Sequence, residues 1–251
     1  MLRNELIGRL RALPPGRRLI TALDVPDTAA ALALAGRLGP RGGFVKVGLE
    51  LFSAGGPEVV TALRGLGRDV FLDLKYHDIP NTVASAARQA ARLGASLCTI
   101  HAANGRAAME AAAKALAEAP PAADGGRPAL LAVTVLTSLS VADLDEVAPG
   151  GGSLADRVAR LAMLAWESGC DGLVCSAADL PALRRVVGPG PLVVTPGIRL
   201  PDGSVDDQKR VATPGQAVKD GSTHLVVGRP ILEAADPCAA ARAIAAEMAG
   251  A

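Results

Sequence analysis

Short β-branched runs alternate with longer alanine-rich segments of helical period, and the alternation repeats eight times along the chain. The runs that read as strands are Leu19 to Val25, Phe44 to Gly48, Val70 to Leu74, Leu97 to His101, Leu130 to Leu136, Gly172 to Cys175, Leu192 to Thr195 and Leu225 to Gly228. Between them lie helical stretches such as Thr28 to Leu38, Pro80 to Leu93, Gly105 to Glu118, Ser153 to Ser168 and Asp179 to Val187. Met1 to Arg18 reads as a short amphipathic helix that ends before Pro14-Pro15-Gly16. Eight strand-then-helix units in 251 residues predict an α/β chain folded as a (β/α)8 TIM barrel with a short N-terminal helix. No composition break marks a linker, so the barrel is expected to be one domain spanning residues 1–251. A doubly wound open sheet is the competing architecture, but no strand here runs into a G-x-G-x-x-G turn.

Composition narrows the function classes. An apolar fraction of 50% with 20% charged residues excludes a disordered or collagen-like chain. A formal net charge of +1 and an aromatic share of 2% argue against nucleic-acid binding, which needs basic excess and stacking surfaces. The longest uncharged apolar stretch, Pro128 to Ala142, contains two serines and two threonines and falls well short of the roughly 20 residues that cross a bilayer. Neither a membrane span nor an export signal is expected, and the expected location is the cytoplasm. Cys98, Cys170, Cys175 and Cys238 form no C-x-x-C pair and fit buried, reduced thiols.

In a barrel of this kind chemistry sits where the strands end at their carboxyl side. The unusual residues cluster there: Asp24 after the first strand, Lys46 in the second, Asp73-Leu74-Lys75 in the third, His101 in the fourth, and Thr137-Ser138 after the fifth. The seventh strand runs into Thr195-Pro196-Gly197-Ile198-Arg199 and the eighth into Gly228-Arg229-Pro230. Residues two apart share a strand face, so Asp24, Lys46, Asp73 and Lys75 are expected to point into one barrel mouth. Of 26 basic residues only five are lysines, and two of those five lie at these strand ends. A lysine, unlike an arginine, gives up a proton when its surroundings favour it, so this placement points to proton chemistry.

The densest run is Asp73-Leu74-Lys75-Tyr76-His77-Asp78-Ile79-Pro80-Asn81-Thr82. Part of it has a purely structural reading, with Asp78 favouring the positive end of a helix opened by Pro80 and Asn81 or Thr82 satisfying its free amides. Two charges at a buried strand end, Asp73 and Lys75, are costly unless they pair or do chemistry. This run closely resembles the bacterial-type orotidine 5'-phosphate decarboxylase family, as do ALDV (22–25), VKVG (45–48), VTVLTS (133–138), TPGIR (195–199) and VVGRPI (226–231). The resemblance runs from the first strand to the eighth in order.

The resemblance implies conversion of orotidine 5'-phosphate to uridine 5'-phosphate without cofactor or metal, the last step of pyrimidine nucleotide synthesis. It implies that Asp24 and Lys46 hold the ribose hydroxyls, with Lys46 joining Asp73, Lys75 and Asp78 in the catalytic array. Asp73 would lie beside the substrate carboxylate and Lys75 would protonate the carbon that loses CO2. Asp78 and Thr82 would reach in from a partner subunit, making the protein a homodimer. Thr137 and Ser138 would meet the pyrimidine edge, and Arg199, Gln208, Gly228 and Arg229 would close over the 5'-phosphate, with Pro196 among the substrate contacts. The long segment from Ile198 to Pro214 is then expected to act as a lid. Two readings remain as alternatives: a magnesium-dependent hexulose-phosphate synthase-like lyase, which shares D-x-K-x-x-D, and a barrel that binds a phosphometabolite without turning it over. The three histidines, His77, His101 and His224, show no compact metal-ligand spacing.

Overall fold

The computed structural model describes residues 2–39, 43–120, 126–199 and 212–251. Eight parallel strands close into a barrel in sequence order: β1 (Leu19–Ala22), β2 (Phe44–Val47), β3 (Asp69–Tyr76), β4 (Leu97–His101), β5 (Ala129–Val133), β6 (Gly172–Val174), β7 (Leu192–Thr195) and β8 (His224–Val227). Closure is made by β1 against β8, with Leu19 opposite Leu225 and Thr21 opposite Val227. The expected (β/α)8 barrel is the fold found.

Alternation along each strand builds two cores. Val45, Val47, Val70, Leu72, Ile100, Leu130 and Val193 face outward and pack against the helices. Alanines in those helices, such as Ala87 and Ala90 in Pro80–Arg92 and Ala162 and Ala165 in Leu154–Glu167, are buried at the same interface. Their small side chains let the helices lie close to the sheet without bulky residues. Ile20, Phe44, Phe71, Leu97, Leu131, Val174, Val194 and Val226 face inward and fill the barrel. Helix starts carry the signals expected of them: Asp27 accepts from the Ala30 N–H at 2.8 Å, and Ser153 and Asp156 form a reciprocal capping box.

The N-terminal helix, α1 (Arg3–Arg11), plugs the end of the barrel where the strands begin. Leu6, Ile7 and Leu10 join the inner core. Its arginines fasten it to main-chain carbonyls: Arg3 donates to Trp166 at 3.1 Å and lies 3.7 Å over that indole, and Arg11 donates to Pro191 at 2.7 Å. The sequence predicts helix only up to Pro14, whereas a second turn forms at Pro15–Arg18, because proline suits the first helical position. At the same end Arg127 grips buried Asp171 with two bonds of 2.7 and 2.8 Å, and Asp171 also accepts from the Leu130 N–H.

Strand limits differ from expectation in β5 and β3. β5 stops at Val133 rather than Leu136, where its pairing with His101 of β4 and Val174 of β6 ends; Thr134 just beyond turns both its N–H and its hydroxyl to the Val174 carbonyl, each at 3.1 Å. β3 runs two residues past Leu74 and carries an irregularity. Between Leu72 and Tyr76 it advances four residues while β4 advances only from Cys98 to Ile100.

Candidate active site

The opposite mouth of the barrel holds a cavity of about 530 Å³. Its floor is apolar, with Phe71, Val133, Val174 and Val226. Its wall carries Asp24, Lys46, Asp73, Lys75, Thr137, Pro196, Arg199, Gly228 and Arg229. Nine of the residues singled out by the sequence are therefore brought together.

The charged groups form two pairs. Lys46 Nζ lies 2.9 Å from Asp24 Oδ1, and Lys75 Nζ lies 2.8 Å from Asp73 Oδ2. Parallel strands with adjacent ends make both pairs possible: Ala22 sits opposite Lys46, and Lys46 opposite Phe71. Gly48 leaves room for the first pair, since a Cβ there would come within 2.8 Å of Lys46 Nζ and push that ammonium aside. Asp73 is 8% exposed, and its other oxygen, Oδ1, accepts from the hydroxyl of Thr99 at 3.0 Å.

Lys75 is held in an unusual conformation. Its φ of 50° lies in the left-handed region, and among the described residues no other non-glycine has a positive φ. The displaced N–H of Lys75 donates to Thr99 Oγ1 at 2.8 Å. Thr99, wholly buried in β4, was missed from the sequence because a threonine within a strand reads as an ordinary β-former. Only the register, which sets β4 beside the irregularity in β3, brings it to Asp73 and Lys75.

Three expected contacts are not in this cavity wall. Ser138 is exposed, and Asp78 and Thr82 are exposed on the segment between β3 and the following helix. Asp78 accepts from the Ile79 N–H at 2.6 Å, and Asn104 donates to its carbonyl at 2.9 Å. The helix Pro80–Arg92 has no side-chain cap, so Asn81 and Thr82 do not serve its first amides. Gln208 lies outside the described residues, as does most of the expected lid; at its base Ile198 pairs with Ala212, and the Arg199 N–H donates to Ala212 at 3.1 Å.

At the last strand end a side chain at Gly228 would sit 3.7 Å from both Ala22 Cβ and Asp24 Oδ2, inside the cavity. The helix that follows, Arg229–Leu232, is a single turn whose Ile231 and Leu232 amides already bond the Gly228 carbonyl. So short a turn carries little dipole, and beside it Arg229 brings a planar guanidinium to the cavity wall.

His101, at the end of β4, lies with its ring 5.5 Å from that of His77. Burial lowers its pKa, and the neighbouring charges of His77 and Lys75 lower it further. The ring is therefore neutral near neutrality. Among the described residues no group of three or more His, Cys, Asp or Glu side chains is placed to hold a metal ion. No described helix is long and apolar enough to cross a membrane. Cys98, Cys170 and Cys175 are buried thiols, and burial pushes the Cys98 thiol up to about 12, whereas Cys238 is only half-buried.

Comparisons with known proteins converge on one family. A protein of Moorella thermoacetica named orotidine 5'-phosphate decarboxylase is 48% identical over 231 residues, 92% of each chain. Its namesake from Anaeromyxobacter sp. (strain K) is 52% identical over 94% of this chain and all of its own length. The crystal structure of orotidine 5'-phosphate decarboxylase from Lactobacillus acidophilus superposes with a TM-score of 0.83 at 41% identity, covering 92% of this chain and 99% of that one. Residues 17–244 match the family profile itself, and the chain belongs to the Orotidine 5'-phosphate decarboxylase / HUMPS family.

Proposed function

We propose that this protein decarboxylates orotidine 5'-phosphate to uridine 5'-phosphate, with Lys75 as the proton donor. The observation that carries the reading is the Lys75 ammonium held 2.8 Å from Asp73 in the cavity wall. When the C6–carboxylate bond breaks, the electron pair stays on C6 in an in-plane orbital that the pyrimidine ring cannot delocalise. CO2 leaves, and Lys75 Nζ–H gives its proton to C6. The neutral amine then regains a proton from solvent. An ammonium about 4 Å from the developing anion stabilises it by about 4 kcal/mol at an effective dielectric near 20, roughly a thousandfold in rate.

The rest of the cavity supports substrate placement. Asp24 and Lys46, already paired, are presented for the ribose hydroxyls, Thr137 for the pyrimidine edge, and Arg199 and Arg229 for the phosphate. Binding energy from the phosphate, remote from C6, then helps to hold the reacting carbon against Lys75. Asp78 and Thr82 complete the cavity of a partner subunit in a homodimer; their exposure outside their own cavity, beside Ile79 at 67% exposed, supports that assignment.

The test is loss of orotidine 5'-phosphate absorbance with purified protein, with and without chelator, for the wild type and Lys75→Ala. Turnover that ignores chelator and disappears in the variant is expected. Chelator-sensitive turnover would favour the magnesium-dependent lyase, and tight binding without turnover the silent barrel.

A further inference from the structure

Thr99 lies one layer behind the cavity wall. Its side chain points into the barrel with Leu97, is wholly buried, and lines no part of the cavity. Yet it bonds the main chain of Lys75 directly and reaches its ammonium through Asp73. Its hydroxyl accepts from the Lys75 N–H at 2.8 Å and lies 3.0 Å from Asp73 Oδ1, while Asp73 Oδ2 holds Lys75 Nζ at 2.8 Å. The result is a closed ring running from the Lys75 backbone through Thr99 and Asp73 to the ammonium of the same residue. The directions within the ring are fixed by chemistry. An amide N–H only donates and an ionised carboxylate only accepts, so the single hydroxyl proton goes to Asp73.

The ring matters because of the backbone it encloses. The irregularity in β3 places Lys75 at a φ of 50°, a region that a long side chain adopts only when its surroundings hold it there. The partner at that bend for the Lys75 amide is the Thr99 hydroxyl. One oxygen atom thus anchors the left-handed turn and orients the carboxylate that steers the ammonium.

We infer that Thr99 is a positioning residue for the proton transfer, fixing Lys75 through its main chain and through Asp73 at once. The inference rests on the proposed decarboxylation, in which Lys75 delivers the proton to C6. Valine keeps the shape of threonine and lacks the hydroxyl, whereas serine keeps the hydroxyl and lacks the methyl. The Thr99→Val protein is therefore expected to lose at least tenfold in kcat. Its KM for orotidine 5'-phosphate and its Kd for uridine 5'-phosphate should stay within threefold of wild type. Thr99→Ser should retain kcat within threefold.

Wild-type protein that fails to consume orotidine 5'-phosphate refutes the functional reading before any variant is compared. With an active wild type, a folded Thr99→Val protein whose kcat matches wild type overturns the positioning role. Thr99→Ala is measured in parallel, in case valine does not fold. If neither folds while Thr99→Ser does, Thr99 serves stability and the inference is overturned.

Discussion

Acid should destabilise this barrel through one buried imidazole, His224. The side chain is fully buried in β8, edge-on to Phe44 at 5.8 Å between ring centroids. Its Nδ1 lies 3.0 Å from Thr223 Oγ1, whose own proton goes to the Val193 carbonyl at 2.9 Å. Nε2 is buried and without a hydrogen-bond partner among the described residues, so a second ring proton would have no acceptor. Burial pushes the pKa from 6.5 down to about 3, with smaller pushes from Arg18 and Arg11. Because the folded value lies below the unfolded one, the unfolded chain takes up the proton first. The contribution is complete above pH 6.5 and is lost as pH falls toward 3. Over the whole interval it amounts to about 5 kcal/mol, and between pH 7 and 5 to about 2 kcal/mol. Asparagine can keep a hydrogen bond to Thr223 and does not titrate. The assay is equilibrium urea unfolding of wild type and His224→Asn at pH 7 and pH 5. The stability advantage of wild type over the variant should shrink by about 2 kcal/mol at the lower pH. A difference between the two proteins that is the same at both pH values would refute the reasoning, whatever its size.

Two further outcomes test the two ends of the barrel separately. Arg229→Ala should lower kcat/KM for orotidine 5'-phosphate by about 10- to 150-fold, the worth of a charge-assisted hydrogen bond, while leaving the slow turnover of orotidine itself unchanged; an equal loss on both substrates would remove Arg229 from the phosphate. Asp171→Asn leaves the Arg127 guanidinium without its charge partner and should destabilise the fold by about 3–5 kcal/mol, lowering Tm by about 10 °C. Its kcat per folded molecule should match wild type, because Asp171 lies at the plugged end, and calorimetry beside the activity assay checks both.

The strands were legible from the sequence to within a few residues because each is a short β-branched run bounded by turn residues. The misses have local causes. Thr134 looks like a strand residue in sequence, but β4 and β6 on either side pair no further than Val133, and β5 ends with them. The period of two placed Lys75 on the side of Asp73, where it is found, but through a left-handed turn rather than a regular pleat. That turn, and the threonine that supports it, depend on the register between β3 and β4, which no single strand encodes. The pairing of Asp24 with Lys46 was within reach because adjacent parallel strands bring their ends together. Asp78 and Thr82 were recognisable from the run they occupy, yet their own barrel gives them no place in its cavity.

The plug has a consequence for how the chain is made. Leu6, Ile7 and Leu10 are buried against residues from β1 through to Val226 in β8, so their site is incomplete until the last strand is in place. At about 5–20 residues per second, the roughly 200 residues between them take about 10–40 s to synthesise. For that time an apolar helical face waits without a partner on the nascent chain. Arg3, Arg9 and Arg11, interspersed with it, suit that wait: like charges keep such a face from joining its copies on neighbouring ribosomes. When the barrel closes, Arg3 and Arg11 turn to carbonyls at its rim.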